Sequence, residues 1–492
     1  MKAFIPYIAY LLISISLVAC SHDIQITGTL DEDPTIFPDY KEVTIPVNIA
    51  PLNFVVQEAK GQSLQLIIEG QQQKINVTGD DGCFQIPQKA WKKLLEAEQG
   101  HDIKLTVCKK VNGEWKSMKP FSISIVPDKV DKYIAYRLVA PGYIFWEKMG
   151  IYQRNLENFD QTPIFENKIT TYNCVNCHSF PNRNPEKMVF HMRARHAGMV
   201  YLDHDKIEKL NTKTDQTITP LVYPYWHPSE KYAAFSTNQT RLAVFTHNVN
   251  YMEVYDFESD IELYNFEKHE IFSSPLLSSK KAFETFPTFS PDGKSLYFCS
   301  ADSVAPMPGS YLDTHYSLCR IDFDAETETF GDKVDTLYNA RETKMSVSFP
   351  RISPDGKYLV FTLHKYGNFS IWQKDADLYM LNLADNNIYP LKEINTDQSE
   401  SYHSWSDNNR WMVFSSRRID GLYTRPFFTY IDENGKAHKP FMLPQKNPQQ
   451  FYDNLLYSYN IPEFIKDKVT FDRHAIAKHM RESDGIDVTY KK

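Results

Sequence analysis

The stretch that decides the fold is Phe286–Ser300, FPTFSPDGKSLYFCS, because it is one copy of a pattern that recurs. The others are YPYWHPSEKYAAFST (223–237), FPRISPDGKYLVFTL (349–363) and YHSWSDNNRWMVFSS (402–416). In each, an aromatic or branched residue (Trp226, Phe289, Ile352, Trp405) precedes a turn. A strand carrying Phe235, Phe298, Phe361 or Phe414 follows it. Pro at the second turn position presets φ, Asp bonds nearby amides, and Gly absorbs a positive φ, so SPDG reverses the chain tightly between two strands. The aligned positions lie 63, 63 and 53 residues apart, the length of a four-stranded sheet with its loops. One such sheet cannot bury both faces alone, so several must close into a ring.

Working outward, CHSFPNRNPEKMVFHM (177–192) lies over the copy at 402–416, with Phe180 at the Trp405 position and His178 at the His403 position. YIAYRLVAPGYIFWEKMGIYQRNL (133–156) reads as strands of a further sheet completed by the C-terminal segment. The repeats resemble the TolB-like, WD-type β-propellers over residues 130–465, which implies an all-β propeller with six blades, each first strand lining a central channel. Residues 466–492 are left as a C-terminal tail. Upstream, 24–128 hold short alternating strands (TIPVNIAPLNFVVQ, SLQLIIEG, KINVTG, DIKLTVCKK) and one helix, WKKLLEAEQ. That pattern predicts a small immunoglobulin-like β-sandwich.

Residues 1–19 pair Lys2 with the apolar run FIPYIAYLLISISLV and end in Leu17-Val18-Ala19 before Cys20. They resemble the signal and lipobox of bacterial lipoproteins, which implies acylation at Cys20 and a chain tethered in the cell envelope, with the outer membrane favoured. A net charge of −8 without a basic stripe excludes nucleic acid as an expected partner.

The chemistry-bearing motif is TYNCVNCHSF (171–180). It resembles the CxxCH of c-type cytochromes, which implies one covalent haem c with thioethers at Cys174 and Cys177 and His178 as proximal iron ligand. His191 is the expected distal ligand, with Met188, Met192, Met199 and His196 as alternatives. A disulfide or redox pair and a metal knuckle remain open readings of the same residues. The combination resembles bacterial lipoproteins in which a TolB-like propeller carries one CxxCH. Two functions follow: a tethered mono-haem electron carrier or redox sensor, or a binding scaffold whose propeller face holds a protein or glycan partner. Cys83 with Cys108, and Cys299 with Cys319, are expected cross-strand disulfides. No G-x-S-x-G elbow occurs, and the carboxylate pairs Asp256/Glu258 and Asp203/Asp205 read as solvated residues rather than acid/base pairs.

Overall fold

The computed structural model describes residues 24–491 except 58, 60, 141–147 and 246–249. Cys20 and the leader-like segment lie outside the described residues.

From Tyr133 to Ile465 the chain forms six antiparallel sheets in succession, each built on four strands. Their inner strands are Cys174–Ser179, Val222–Trp226, Ala282–Phe289, Ser346–Ile352, Glu400–Trp405 and Ser458–Ile465. The last of these pairs antiparallel with Tyr133–Val139, so the first blade takes three strands from the start of the propeller and its inner strand from the end. This closure ties the ends of the ring together with main-chain hydrogen bonds. We number the blades from that one: blade 1 is the closing sheet, and blades 2 to 6 begin at Cys174, Val222, Ala282, Ser346 and Glu400.

Each inner strand carries one extra residue against its neighbour. The register shifts after Asn176, Val222, Thr285, Ser348 and Ser401, and between Asn460 and Glu463. The first residue of each bulge has positive φ: Cys177 (53°), Tyr223 (51°), Phe286 (52°), Phe349 (51°), Tyr402 (50°) and Ile461 (49°). A bulge bends its strand and re-aims a side chain. Here it turns five large residues and one cysteine toward the axis, where Phe286 stacks on Phe349 with centroids 4.0 Å apart and Phe349 meets Tyr402 at 4.5 Å. Side chains thus plug the channel at its waist. The SPDG turns sit beyond it, with Gly293 and Gly356 at φ +74° and +72°.

The N-terminal unit has a seven-stranded sheet facing a three-stranded one (Ile36–Phe37, Phe54–Val56, Cys83–Phe84), with the helix Gln88–Ala97 burying Trp91, Leu94 and Leu95. Its core is continuous with blades 1 and 6: Phe54, Trp91 and Ile123 share one apolar cluster with Tyr136, Trp411 and Phe428. Trp411 Nε1 also donates to the Asp128 carbonyl at 2.8 Å. The segment after Ile465 is integrated as well. Its helix Arg473–Glu482, capped by Asp472, buries Ile476, Ala477 and Met480, and Ile486–Asp487 and Thr489–Tyr490 add parallel strands to the outer edges of blades 2 and 3. Covering those edges removes two exposed templates for strand pairing.

Neither expected disulfide forms. Cys299 pairs with Leu318 while Cys319 pairs with Phe298, so the two thiols point to opposite faces of one sheet, into different core clusters. Alternation along a strand forbids the bond without a register slip. Cys83 and Cys108 belong to different sheets of the N-terminal unit, and all six described cysteines are free.

Candidate functional site

The register of the bulge explains CVNCH. Cys177 holds the plug position that Tyr223, Phe286, Phe349, Tyr402 and Ile461 hold in the other blades. His178 follows it where four blades have proline (Pro224, Pro287, Pro350, Pro462) and blade 6 has His403. This second position packs between blades: His403 Nε2 hydrogen-bonds the Val360 carbonyl on the second strand of blade 5 at 2.8 Å. The His178 side chain has no exposure; its Nε2 lies 3.7 Å from Glu463 Oε1, and the Ala135 and Ile461 backbones lie beside it. Burial, helped by the Arg137 cation, pushes its pKa down to about 3, so the ring stays neutral. Burial pushes Glu463 up to about 8.

Two cavities flank the plug. On the side of the SPDG turns, a cavity of about 150 Å³ is lined by residues that include Cys177, His178, Arg351, His403 and Glu463. On the side of the long loops, a cavity of about 570 Å³ opens between blades 2 and 3. Its floor includes Tyr223 and Val222, one wall His191, Met192 and Arg193, and the facing wall Asn238, Gln239 and Thr240. His191 is buried; desolvation with the Arg193 charge pushes its pKa to about 3, and its Nδ1 has no hydrogen-bond partner.

The wall at Asn238–Thr240 belongs to the longest hairpin of the propeller, Tyr232–Val244 with Met252–Asn265. This hairpin leans across the loop-rich end of the channel onto blades 4 and 5. Glu253 accepts from the Tyr366 hydroxyl at 2.8 Å and from Asn250 at 3.1 Å. Asp256 accepts from Tyr316 at 2.9 Å and from Asn368. The Tyr251 ring meets Trp372 at 5.0 Å. Asp256 is therefore not the solvated residue its sequence context suggested: burial pushes it up to about 7 against hydrogen bonds from Tyr316 and Asn238 that hold it down. Glu258 is exposed, as is Asp205, while Asp203 is half-buried against Tyr201 and His204.

The residues present do not fit a haem. The cavity beside Cys177 and His178 is smaller than the roughly 300–1,000 Å³ that sites for drug-sized ligands occupy. Cys174 is buried at the start of its strand and lines neither cavity, so the two thiols do not share an open face with His178. His191 lines the other cavity and cannot serve the same iron. Met188 and Met192 are locked in the core between blades 1 and 2, Met199 packs in the cluster facing blade 3, and His196 lies in a loop among the cations Arg195, Lys209 and Arg481. Among the described residues no three His, Cys, Asp or Glu side chains converge, so the metal-knuckle reading has no ligand set either.

No family model and no curated protein matches the sequence. Solved structures similar to it include a puromycin-hydrolysing peptidase of Mycobacterium tuberculosis (10% identity, TM-score 0.35, 70% of this chain and 52% of that one). A periplasmic gluconolactonase of Pseudomonas aeruginosa is similar at 11% identity and TM-score 0.25, over 63% of this chain and 68% of the other. An α-L-arabinofuranosidase of Lactobacillus brevis is similar at 13% identity and TM-score 0.29, over 52% and 86%. The chain spans about half the length of the peptidase. At such identities and TM-scores these likenesses carry no argument about activity. The misfit at CVNCH corrects the reading of the chain as a mono-haem electron carrier or redox sensor. The chain is a β-propeller protein in which the cysteine motif forms part of the blade repeat.

Proposed function

We propose that this protein is a small-molecule-binding propeller whose site is the cavity between blades 2 and 3 at the loop-rich end. The observation that carries the reading is the cavity itself. At about 570 Å³ it falls within the ordinary range for ligand pockets, and its walls mix an apolar floor with a few polar groups. The side chains are held from beneath: Asn238 donates to Thr285 on the inner strand of blade 4, and the hairpin that carries it is latched to blades 4 and 5. Such support fixes a binding wall in place before a ligand arrives, which lowers the ordering cost of binding.

A thermal-shift screen of water-soluble metabolites tests this. Ala197→Trp and Thr240→Trp place bulk at exposed positions of the cavity lining, so they fill the site with little demand on the core. Compounds that stabilise the wild-type protein are expected to lose their effect in both variants and keep it in Ser404→Trp, which fills the vestibule at the other end. Compounds that stabilise all three variants equally would refute the site. On the lipobox reading, Cys20 tethers this binder outside the cytoplasm; Cys20→Ala would then release it from the membrane fraction, and unchanged membrane association would refute the tether.

A further inference from the structure

Resting on that site, we infer that its ligand is an anionic small molecule, one bearing a carboxylate or phosphate group. The chain as a whole carries a net charge of −8, yet among the described residues no Asp or Glu lines this cavity. The charged residues in the lining are Arg193 and Lys213. Asn173 donates to the backbone carbonyl of Arg193; the Arg193 guanidinium has no ion pair or hydrogen bond among the described residues, and the residue is exposed at the end of its strand. Lys213 is engaged only by neutral carbonyls, those of Thr214 and Thr217. An arginine without a carboxylate at the wall of a concave site presents its planar fork to an incoming oxyanion.

The surroundings reinforce the sign. Desolvation, with the charges of Arg195, Lys209 and Arg481 beside it, holds down the pKa of His196 on the loop next to the cavity. A concave site lined by one sign of charge focuses its field and raises the local concentration of the opposite charge. Inside, the His191 imidazole and the Asn238 amide are both uncharged. Two acids touch lining residues from outside the cavity, Asp256 at Asn238 and Asp487 at Asn211, and both are already engaged by hydroxyl or amide donors. Pro220, Val222 and Tyr223 supply apolar surface, which suits an organic acid or phosphate ester better than a bare inorganic ion.

Isothermal titration of the full chain with glucuronate, glucose 6-phosphate, inorganic phosphate and glucose reads the class. Glucuronate or glucose 6-phosphate is expected to bind where glucose does not, with affinity falling as salt rises. The stronger of the two identifies the oxyanion, and inorganic phosphate matching glucose 6-phosphate would show that the organic part contributes nothing. Arg193→Ala is expected to weaken binding about ten- to a hundredfold, with Arg193→Lys recovering part of it. Because Arg193 is exposed, neither variant should change the melting temperature, so loss of binding cannot be loss of fold. Glucose binding as tightly as the anions, no anion binding at all, or an Arg193→Ala protein of wild-type affinity would overturn the anionic class. The metabolite screen with Ala197→Trp fails or succeeds separately, so a wrong ligand class and a wrong site give different results.

Discussion

Replacing His178 by proline discriminates most sharply between a histidine kept for chemistry and one that fills a repeat position. Four of the six blades already hold proline there, each directly after a residue at φ near +50°. At neutral pH the substitution removes a buried ring whose nitrogens have no hydrogen-bond partner among the described residues, at a cost of about 1–2 kcal/mol for lost packing. Against this, proline restricts the unfolded chain, a gain of about 0.4–1 kcal/mol where the native φ is compatible. The two partly cancel, so stability at about pH 7.5 should stay within roughly 1.5 kcal/mol of wild type.

Acid separates them. His178 has a folded pKa of about 3 against an unfolded value of about 6.5. The unfolded state therefore gains a proton that the folded state refuses, and stability is lost as pH falls below about 6.5. At about pH 5 that loss is about 2 kcal/mol, and the proline variant escapes it. Urea unfolding followed by tryptophan fluorescence should show the variant about 2 kcal/mol more favourable relative to wild type at about pH 5 than at about pH 7.5. Val189→Pro, in the middle of the second strand of the same blade, is the control and should fail to fold. A His178→Pro protein that is insoluble, or destabilised by more than about 3 kcal/mol at both pH values, would refute the repeat-position account.

Three further outcomes follow from named contacts. Gly293→Ala and Gly356→Ala both place a side chain at positive φ, but a Cβ at Gly293 would sit 2.2 Å from His227 Nε2, which hydrogen-bonds the Gly293 carbonyl, whereas the nearest atom at Gly356 is 3.9 Å away. Thermal melts should find the first more destabilising by about 1–3 kcal/mol, and equal effects would show that His227 yields freely. Asp256→Asn should stabilise the protein at about pH 8 by about 1–3 kcal/mol, because the raised pKa means a buried charge is tolerated only above about pH 7; the gain should vanish toward about pH 4, and a gain that grows on acidification would contradict the assignment. Reductant should leave the melting temperature unchanged, since Cys299 and Cys319 face opposite sides of their sheet; a drop would reveal a disulfide between them.

The propeller was legible because SPDG at 290–293 and 353–356 is a local turn with a local cause, repeated at blade spacing. The copy in blade 1, IPEF (461–464), lacked that turn because its strand pairs with one more than 300 residues earlier, so nothing adjacent marked it. The common signal was the dipeptide at the bulge: Tyr223-Pro, Phe286-Pro, Phe349-Pro and Ile461-Pro, with Cys177-His and Tyr402-His as its variants. Seen in that register, CVNCH belongs to the repeat; seen alone, its spacing matched a haem motif by side-chain type while saying nothing of strand geometry. Asp256 misled for a different reason. Its partners Tyr316 and Asn368 are 60 and 112 residues away, so its burial depends on a hairpin crossing to other blades, which no local pattern records. The larger cavity was hidden likewise, since Arg193, Val222 and Asn238 meet only once blades 2 and 3 stand side by side.

The most direct measurement of the central claim is a crystal structure of the protein soaked with the tightest-binding compound from the metabolite screen. The account predicts ligand density between blades 2 and 3, resting on Tyr223 and Val222, bounded by His191 and Asn238, with its oxyanion on Arg193. Density in the vestibule beside His178 and Glu463, or at a site elsewhere with the cavity between blades 2 and 3 filled by solvent alone, would contradict it.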